Sequence, residues 1–516
     1  MSEPGQGAGQ GMRRHAVRPH PPGRRPPREQ TLAWAIACLA ADNAPLDDAA
    51  AEMASCRLVD DWACALPALN RPPVRSARDQ ARCFLRPGGA SVLGLGPGAK
   101  VDCGWAAWAN ATAVRELDFH DSFFGLDPSH PGDVIPSVLA AAEQIGASGE
   151  TLVRGIVTAY EVQTALARGI ALNPHRIDHV AHLGPAVAAG VAALLRLPPG
   201  IGVEAISHAA HVSIGTRQAR KGRISSWKAF APGHVGKAAI EAVDRAMRGE
   251  TSPAPIWEGD YGILAVLLGG PESAAHVPLP APGAPCRAIL DTYPKAHSAG
   301  YHGQAVIDLA FRMRERLGDP RRIRAVELRS KRMTHVVMGA GANDPDKWDP
   351  AASRETLDHS AMFIFARALW DGWWHHERSY DPAAIAEPDF VALWKRVTTV
   401  EDAGWNARFD ARDGLDKDHG LRAVVTFEDG HVVEDEIAVA DSHPRGAAPW
   451  GRADYERKFE ALTADLVPAP ERARFLEAAA GIRAIPAGGL AALAVTVPAG
   501  RIARGARGLF ERAAGA

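Results

Sequence analysis

The sequence has few aromatic residues, 6% of 516, and little net charge, −2 at neutral pH. That balance removes the general electrostatic case for nucleic acid or an anionic membrane surface as a partner. Its six cysteines, Cys38, Cys56, Cys64, Cys83, Cys103 and Cys286, include no Cys-x-x-Cys pair. In a chain this long they read as reduced thiols of a cytoplasmic protein, and their spacing argues against an iron–sulfur cluster. No apolar run is long enough to span a bilayer; the longest, "LGPAVAAGVAALL" from Leu183, reads as a buried helix. Residues 1–28 lack the apolar core of a secretory signal and are rich in Gly, Pro and Arg, so a disordered basic tail is expected there.

Hydrophobic residues make up 47% and charged residues 23%, an ordinary globular balance, and the length calls for more than one core. From residue 29 to 277 apolar residues recur at helical spacing, which predicts a large all-helical domain. "DVIPSVLAAAEQIG" is one of these helices, with Asp133 as its expected N-cap. The texture changes near Pro278. "AILDTY" and "RIRAVELRSK" read as strands, "GQAVIDLAFRMRERLG" and "TLDHSAMFIFARAL" as helices, and "RAVVTFEDGHVVEDEIAV" as a hairpin turning at Asp429-Gly430. Residues 278–445 are therefore expected to form an α+β domain, and 446–516 to return to the helical one. The fold class is mainly α with an α+β domain.

Several short motifs carry little chemistry. "GLGPGAK", residues 94–100, lacks the GxxxxGK[ST] spacing of a phosphate loop and reads as a turn. His375 and His376 are adjacent, so a helix would not aim both at one metal, and they read as a surface or interface segment; His179 and His182 have i,i+3 spacing without HExxH or cysteine support. No metal site is expected. Three clusters are more informative. Residues 116–133, "ELDFHDSFFGLDPSHPGD", interleave Asp118, His120, Asp121, Asp127, His130 and Asp133 with Phe119, Phe123 and Phe124. Carboxylates beside ring surface suit a pocket wall that holds proton-transfer groups partly out of water. Residues 216–234 carry Arg217, Arg220, Lys221, Arg223 and Lys228 ahead of a helix, which suits a small polycarboxylate. Residues 293–304 add Lys295, His297, Tyr301, His302 and Gln304. Each cluster stands at an element boundary, so a shared acid/base pocket is a consistent reading.

These same stretches carry a family likeness. "GWAAWAN", "AVRELDFHDSF", "SHPGD", "IDHVAHLGPAVAAG", "GTRQARKGRISSWKAFAPGHVGK", "SRETLDHS" and "WHHERSY" resemble the MmgE/PrpD family, and within it the actinobacterial branch that dehydrates 2-methylcitrate. The resemblance implies a large helical domain with a smaller lid-like α+β domain, and a homodimer. It also implies dehydration of 2-methylcitrate to 2-methyl-cis-aconitate in propionate catabolism, with no metal or organic cofactor. Family relatives include a cis-aconitate decarboxylase and a dicarboxylate epimerase. By motif, the family's pocket falls on Asp118, His130, His175 or His179, Lys228 and the segment from His297 to His302. Together with the cluster reading, this gives Asp118, His130, Lys228 and His302 as catalytic candidates. His175, His179, Arg217, Arg220, His297, Tyr301 and Gln304 are the candidates for substrate binding. In that scheme Asp118 or a histidine removes a proton, His130 delivers one to the leaving hydroxyl, and Lys228 offsets the developing charge. Two positions depart from the family pattern. Phe363 follows the Asp-His-Ser motif where a tyrosine is usual, and Gln304 stands where many members have histidine. Phe363 motivates two other readings: a related enzyme on another polycarboxylate, or a non-catalytic member.

Overall fold

Long helices rich in alanine and glycine build the first lobe: Asp48–Ala68, Cys103–Glu116, Gly149–Gly169, Leu183–Leu194, Pro199–Val212 and Trp227–Met247. The computed structural model describes residues 11–511, except Arg25, Gly222, Arg223 and Arg412. The helix Leu183–Leu194 is buried along its whole length and packs on Gly149–Gly169, Pro199–Val212 and Trp227–Met247. Small residues set that approach. A Cβ on Gly190 would lie 2.7 Å from the carbonyl oxygen of Gly155, so the two helices cross in backbone contact and only glycine fits. No described helix is long and apolar enough to cross a membrane.

The expected tail needs correction. Residues 1–10 and Arg25 lie outside the described residues, but Met12–Val17 is a strand. It pairs antiparallel with Ala275–Pro280, Met12 opposite Pro280 and Val17 opposite Ala275, and Val17 is buried in the helical core. Composition averaged over the whole segment hides this short stretch, whose backbone groups find partners on a strand far away in sequence.

The second lobe is a four-stranded mixed sheet covered by two helices. The strands lie in the order Val432–Ile437, Leu421–Phe427, Ile323–Ser330, Val397–Glu401, with only the last pair parallel. Leu421–Phe427 alternates buried and half-buried residues, as a strand with one covered face must. The hairpin turn runs through Gly430 at φ 86°, a left-handed conformation that glycine accepts without penalty. The helices Tyr301–Leu317 and Ala361–Asp371 pack on this sheet and on each other. "AILDTY" is not a strand: Ala288–Asp291 is a 3₁₀ turn, and only Tyr293 bridges backbone to Ser122. "TLDHSAMFIFARAL" is not one helix either. It breaks at Asp358–Ser360 into Arg354–Leu357 and Ala361–Asp371, and the Ser360 hydroxyl caps the second piece through the Phe363 N–H.

The C-terminal helices Arg452–Thr463 and Ala469–Ala480 lie on Asp48–Ala68 of the first lobe. Polar contacts tie the lobes together. Arg71 pairs with Glu116 of the first lobe and with Glu355 of the second at 2.8 Å, and Arg354 donates to the Leu117 carbonyl at 3.1 Å. These contacts surround the chemistry-bearing residues.

Candidate active site

The segment after the helix Cys103–Glu116 begins with Asp118 in the left-handed region, φ 49°, a conformation that costs a residue with a Cβ about 1–2 kcal/mol. Lys295 holds it there, donating to both the Asp118 carbonyl at 2.9 Å and its carboxylate at 2.5 Å. Most of the segment is buried, Leu126 excepted, and each of its carboxylates has a partner. Asp121 accepts from the Tyr160 hydroxyl at 3.0 Å and the Gly132 N–H at 2.8 Å, and lies 3.4 Å from Arg57. Asp127 accepts from the Asn173 N–H at 2.9 Å. Asp133 is no helix cap. The helix starts at Ile135 after a 3₁₀ turn, and Asp133 instead pairs with Arg115 at 2.9 Å and His120 at 3.0 Å. The phenylalanines exclude water from this network, which is why so many ionisable groups share it.

A second element meets the first at Asp118. The helix Trp227–Met247 begins within the 216–234 cluster rather than after it, so Lys228 stands in its first turn and Pro232 inside it. Lys228 Nζ lies 3.1 Å from Asp118 Oδ2 and 3.1 Å from Asp358 Oδ1. The break at Asp358–Ser360 delivers Asp358 and His359 from the second lobe. His359 Nδ1 bonds Asp358, and its Nε2 is 3.5 Å from Asp118. Asp118, Asp358 and His359 thus bring three ligand-type atoms within 4.8 Å of one another, with the Lys228 ammonium among them as the counter-charge.

Asp118, Lys228 and His359 line a cleft between the lobes that encloses about 850 Å³ of empty space, part of it open solvent. Burial disfavours the Asp118 carboxylate, but Lys295 and Lys228 outweigh it and hold the group well below the usual carboxylate range. Burial likewise opposes Asp358, and Lys228 and His359 bring it down to about 2. His130 is held well below the usual imidazole range, by burial first and then by Arg115 and Lys295. Its Nδ1 is 2.9 Å from the Asp121 carbonyl, which can only accept, so that nitrogen carries the proton and Nε2 keeps a lone pair. Burial lowers His179 to about 3 against the pull of Asp178. Burial, with Lys331 and His359 adding, keeps His302 well below its usual range. Burial also brings Lys347 down to about 8, opposed by Asp344 and Asp358.

Of the residues singled out in the sequence, Asp118, His130, His179, Arg217, Arg220, Lys228, Tyr301 and His302 line this cleft. His175, His297 and Gln304 do not. His175 ends a 3₁₀ turn and is exposed, while its neighbour Asn173 reaches the cleft. His297 is drawn aside by Asp308 at 2.8 Å, and Gln304 braces the 297–299 loop through the His297 and Ala299 carbonyls. Arg223 lies outside the described residues. His182 diverges from His179 and bonds the Ile170 carbonyl. His375 and His376 stack on each other outside the cleft, and His376 is buried. Phe363 is fully buried among Trp374, Tyr380, Phe390 and Trp394 in the core of the second lobe. The sequence reading did not assign Lys295, Asp358, His359, Lys347 and Arg115. The Asp-His-Ser motif was the available signal for two of them, since Ser is a capping residue and marks a helix start rather than an interior.

Comparison with known proteins agrees with this architecture. Residues 30–276 match the MmgE/PrpD N-terminal domain and residues 297–483 the MmgE/PrpD C-terminal domain. The chain is 25% identical over 399 residues to 2-methylcitrate dehydratase of Cupriavidus necator, covering 74% of this chain and 79% of that one. It is 24% identical over 386 residues to 2-methylcitrate dehydratase of Salmonella typhimurium, covering 72% and 77%. An alkylcitrate dehydratase from a fungal species is 25% identical over 434 residues, covering 78% and 81%. With both domains matched in order, the chain belongs to the MmgE/PrpD family.

Proposed function

We propose that the protein is a hydro-lyase that dehydrates 2-methylcitrate to 2-methyl-cis-aconitate by acid/base catalysis in the cleft between its lobes. The observation that carries this reading is a neutral, tautomer-fixed His130 in the same cleft as the Lys228–Asp118–Asp358–His359 cluster. The names of the relatives support the substrate class.

A proton next to a carboxylate is weakly acidic because its removal places negative charge on that carboxylate. Lys228, Lys347 and Arg217 line the cleft and offset both the resting charge of a tricarboxylate and the charge that develops. Asp118 has both carboxylate oxygens engaged, Oδ1 by Lys295 and Oδ2 by Lys228, and is not free to take a proton from substrate. Its work is to hold Lys228 and Lys295 in place. His130 takes the proton at Nε2, and its Nδ1–H stays on the Asp121 carbonyl and steadies the ring. Lys347, lowered to about 8 by burial, is protonated at neutral pH yet acidic enough to protonate the departing hydroxyl. The C–H and C–O bonds break, an alkene forms, and water leaves. The Phe363 argument for a decarboxylase, an epimerase or an inactive member loses its basis, since that ring lies in the second lobe's core.

The test offers purified protein 2-methylcitrate, citrate and cis-aconitate while following alkene absorbance and released carbon dioxide. Alkene formed from 2-methylcitrate is expected. Carbon dioxide from cis-aconitate, or silence on every substrate from folded protein, would overturn the reading. Lys228→Ala is expected to lose at least ~10²-fold in turnover while keeping its helical circular-dichroism signal.

A further inference from the structure

The C-terminal helix Arg452–Thr463 sends Lys458 into the interior behind the cleft. Lys458 is buried, and no residue of its helix lines the cleft. An ammonium has three N–H donors, and here three acceptors match them. Nζ lies 2.6 Å from Asp60 Oδ1, 2.6 Å from the Phe119 carbonyl and 3.1 Å from the Lys295 carbonyl. The Phe119 ring lies beside it, its centroid 3.8 Å away. The contact with Asp60 balances charge: Asp60 is fully buried on the helix Asp48–Ala68, and its other oxygen has no hydrogen-bond partner among the described residues. Charge balance does not require the two carbonyls.

Those carbonyls belong to the segments that meet at Asp118. Phe119 follows Asp118 directly, and Lys295 is the residue whose side chain holds Asp118 in its left-handed conformation. A backbone bridge joins the same two segments at Ser122 and Tyr293. Lys458 grips them again beside Asp118, and the Asp118 carboxylate in turn holds Lys228 on the cleft side.

We infer that Lys458 is a positioning residue for the proposed dehydration, fixing the Asp118–Lys295 pair and through it Lys228. This rests on the dehydratase reading above. Lys458 touches no substrate and moves no proton. A slip of about 1 Å in the Asp118 backbone would pass through its carboxylate to Lys228, and errors of that size cost about 10²-fold in rate. Lys347 and Arg217 also line the cleft and meet the resting charge of the substrate, so the loss falls on kcat rather than KM.

The experiment compares the full chain with Asp60→Asn, Lys458→Met and the double variant. It follows alkene formed from 2-methylcitrate, urea unfolding and amide hydrogen exchange. Lys458→Met alone leaves the Asp60 charge buried without its partner and is expected to lower the urea midpoint. The double variant removes that charge and is expected to regain most of the midpoint. Its kcat is nevertheless expected to stay down about 10²-fold, with KM within about twofold of wild type. Exchange at the Ser122 and Tyr293 amides, which bond each other's carbonyls, is expected to quicken in the double variant. Asp60→Asn alone leaves Lys458 on both carbonyls and is expected to keep kcat and exchange near wild type. A double variant that regains kcat along with its midpoint, that loses KM instead of kcat, or that leaves this exchange unchanged would overturn the positioning role and leave the dehydratase reading standing. No turnover by the wild-type chain would overturn that reading, and the role of Lys458 in it.

Discussion

Asp118 and His130 share a short segment, yet the protein treats them in opposite ways. The carboxylate is surrounded by ammonium groups and stays ionised, whereas the imidazole is buried beside Arg115 and stays neutral. A histidine kept neutral at working pH has a lone pair free to accept a proton, while the same burial reduces its basicity. The pH dependence of kcat/KM is therefore expected to show no acidic limb near the ordinary histidine value of about 6.5. Activity should persist to distinctly lower pH and fall only as His130 takes up a proton. On the alkaline side a limb near pH 8 is expected from Lys347, and Lys347→Arg should move it upward. An acidic limb at the unperturbed histidine value, or an unchanged alkaline limb in Lys347→Arg, would contradict these roles.

At the level of elements, helix ends and breaks decide where chemistry goes. The split at Asp358–Ser360 turns what reads as one amphipathic helix into a short turn, a two-residue delivery of Asp358 and His359, and a buried helix. Phe363 belongs to that buried helix. Phe363→Tyr puts a hydroxyl into a fully buried aromatic cluster and should destabilise by about 1–3 kcal/mol with turnover unchanged, as measured by urea unfolding alongside the alkene assay. A large gain or change in activity would return this position to the site. At the start of the helix Gly149–Gly169, a Cβ on Gly149 would sit 1.6 Å from the Ile482 carbonyl oxygen. Gly149→Ala is expected to cost about 1–3 kcal/mol by forcing the C-terminal segment off the first lobe, and limited proteolysis should cut first beyond residue 452.

Across the whole molecule, burial keeps many histidines uncharged. His130, His302 and His419 are held well below the usual range, His182 and His443 at about 4, and His179 and His376 at about 3, with burial the first cause in each case. The unfolded chain protonates these groups near pH 6.5, while the folded chain does so only much lower. Between those values the unfolded state binds more protons, so stability falls as pH falls. Seven carboxylates raised by burial, Asp61, Glu116, Asp127 (to about 7), Glu161, Glu258, Asp371 and Asp441, work the other way over part of the same range, but the ten histidines that burial lowers outnumber them. The urea midpoint is expected to drop between pH 7.5 and 5. A midpoint that is flat or rises over that interval would show that the imidazoles are not held neutral.

Spacing by itself determined the mainly helical first lobe, the change of texture toward an α+β lobe, the Asp429-Gly430 turn and the crowding of titratable groups between Asp118 and His130. Those features follow from short-range sterics and periodicity, which depend only on neighbouring residues. The tertiary structure alone decided that Lys295 meets Asp118 across 177 residues and that Lys228 meets Asp358 across 130. It also decided that His297 and Gln304 turn aside and that Met12–Val17 is a strand. Pairing energy and pKa depend on distances and burial that exist only once the lobes have docked, so no local pattern could have encoded them.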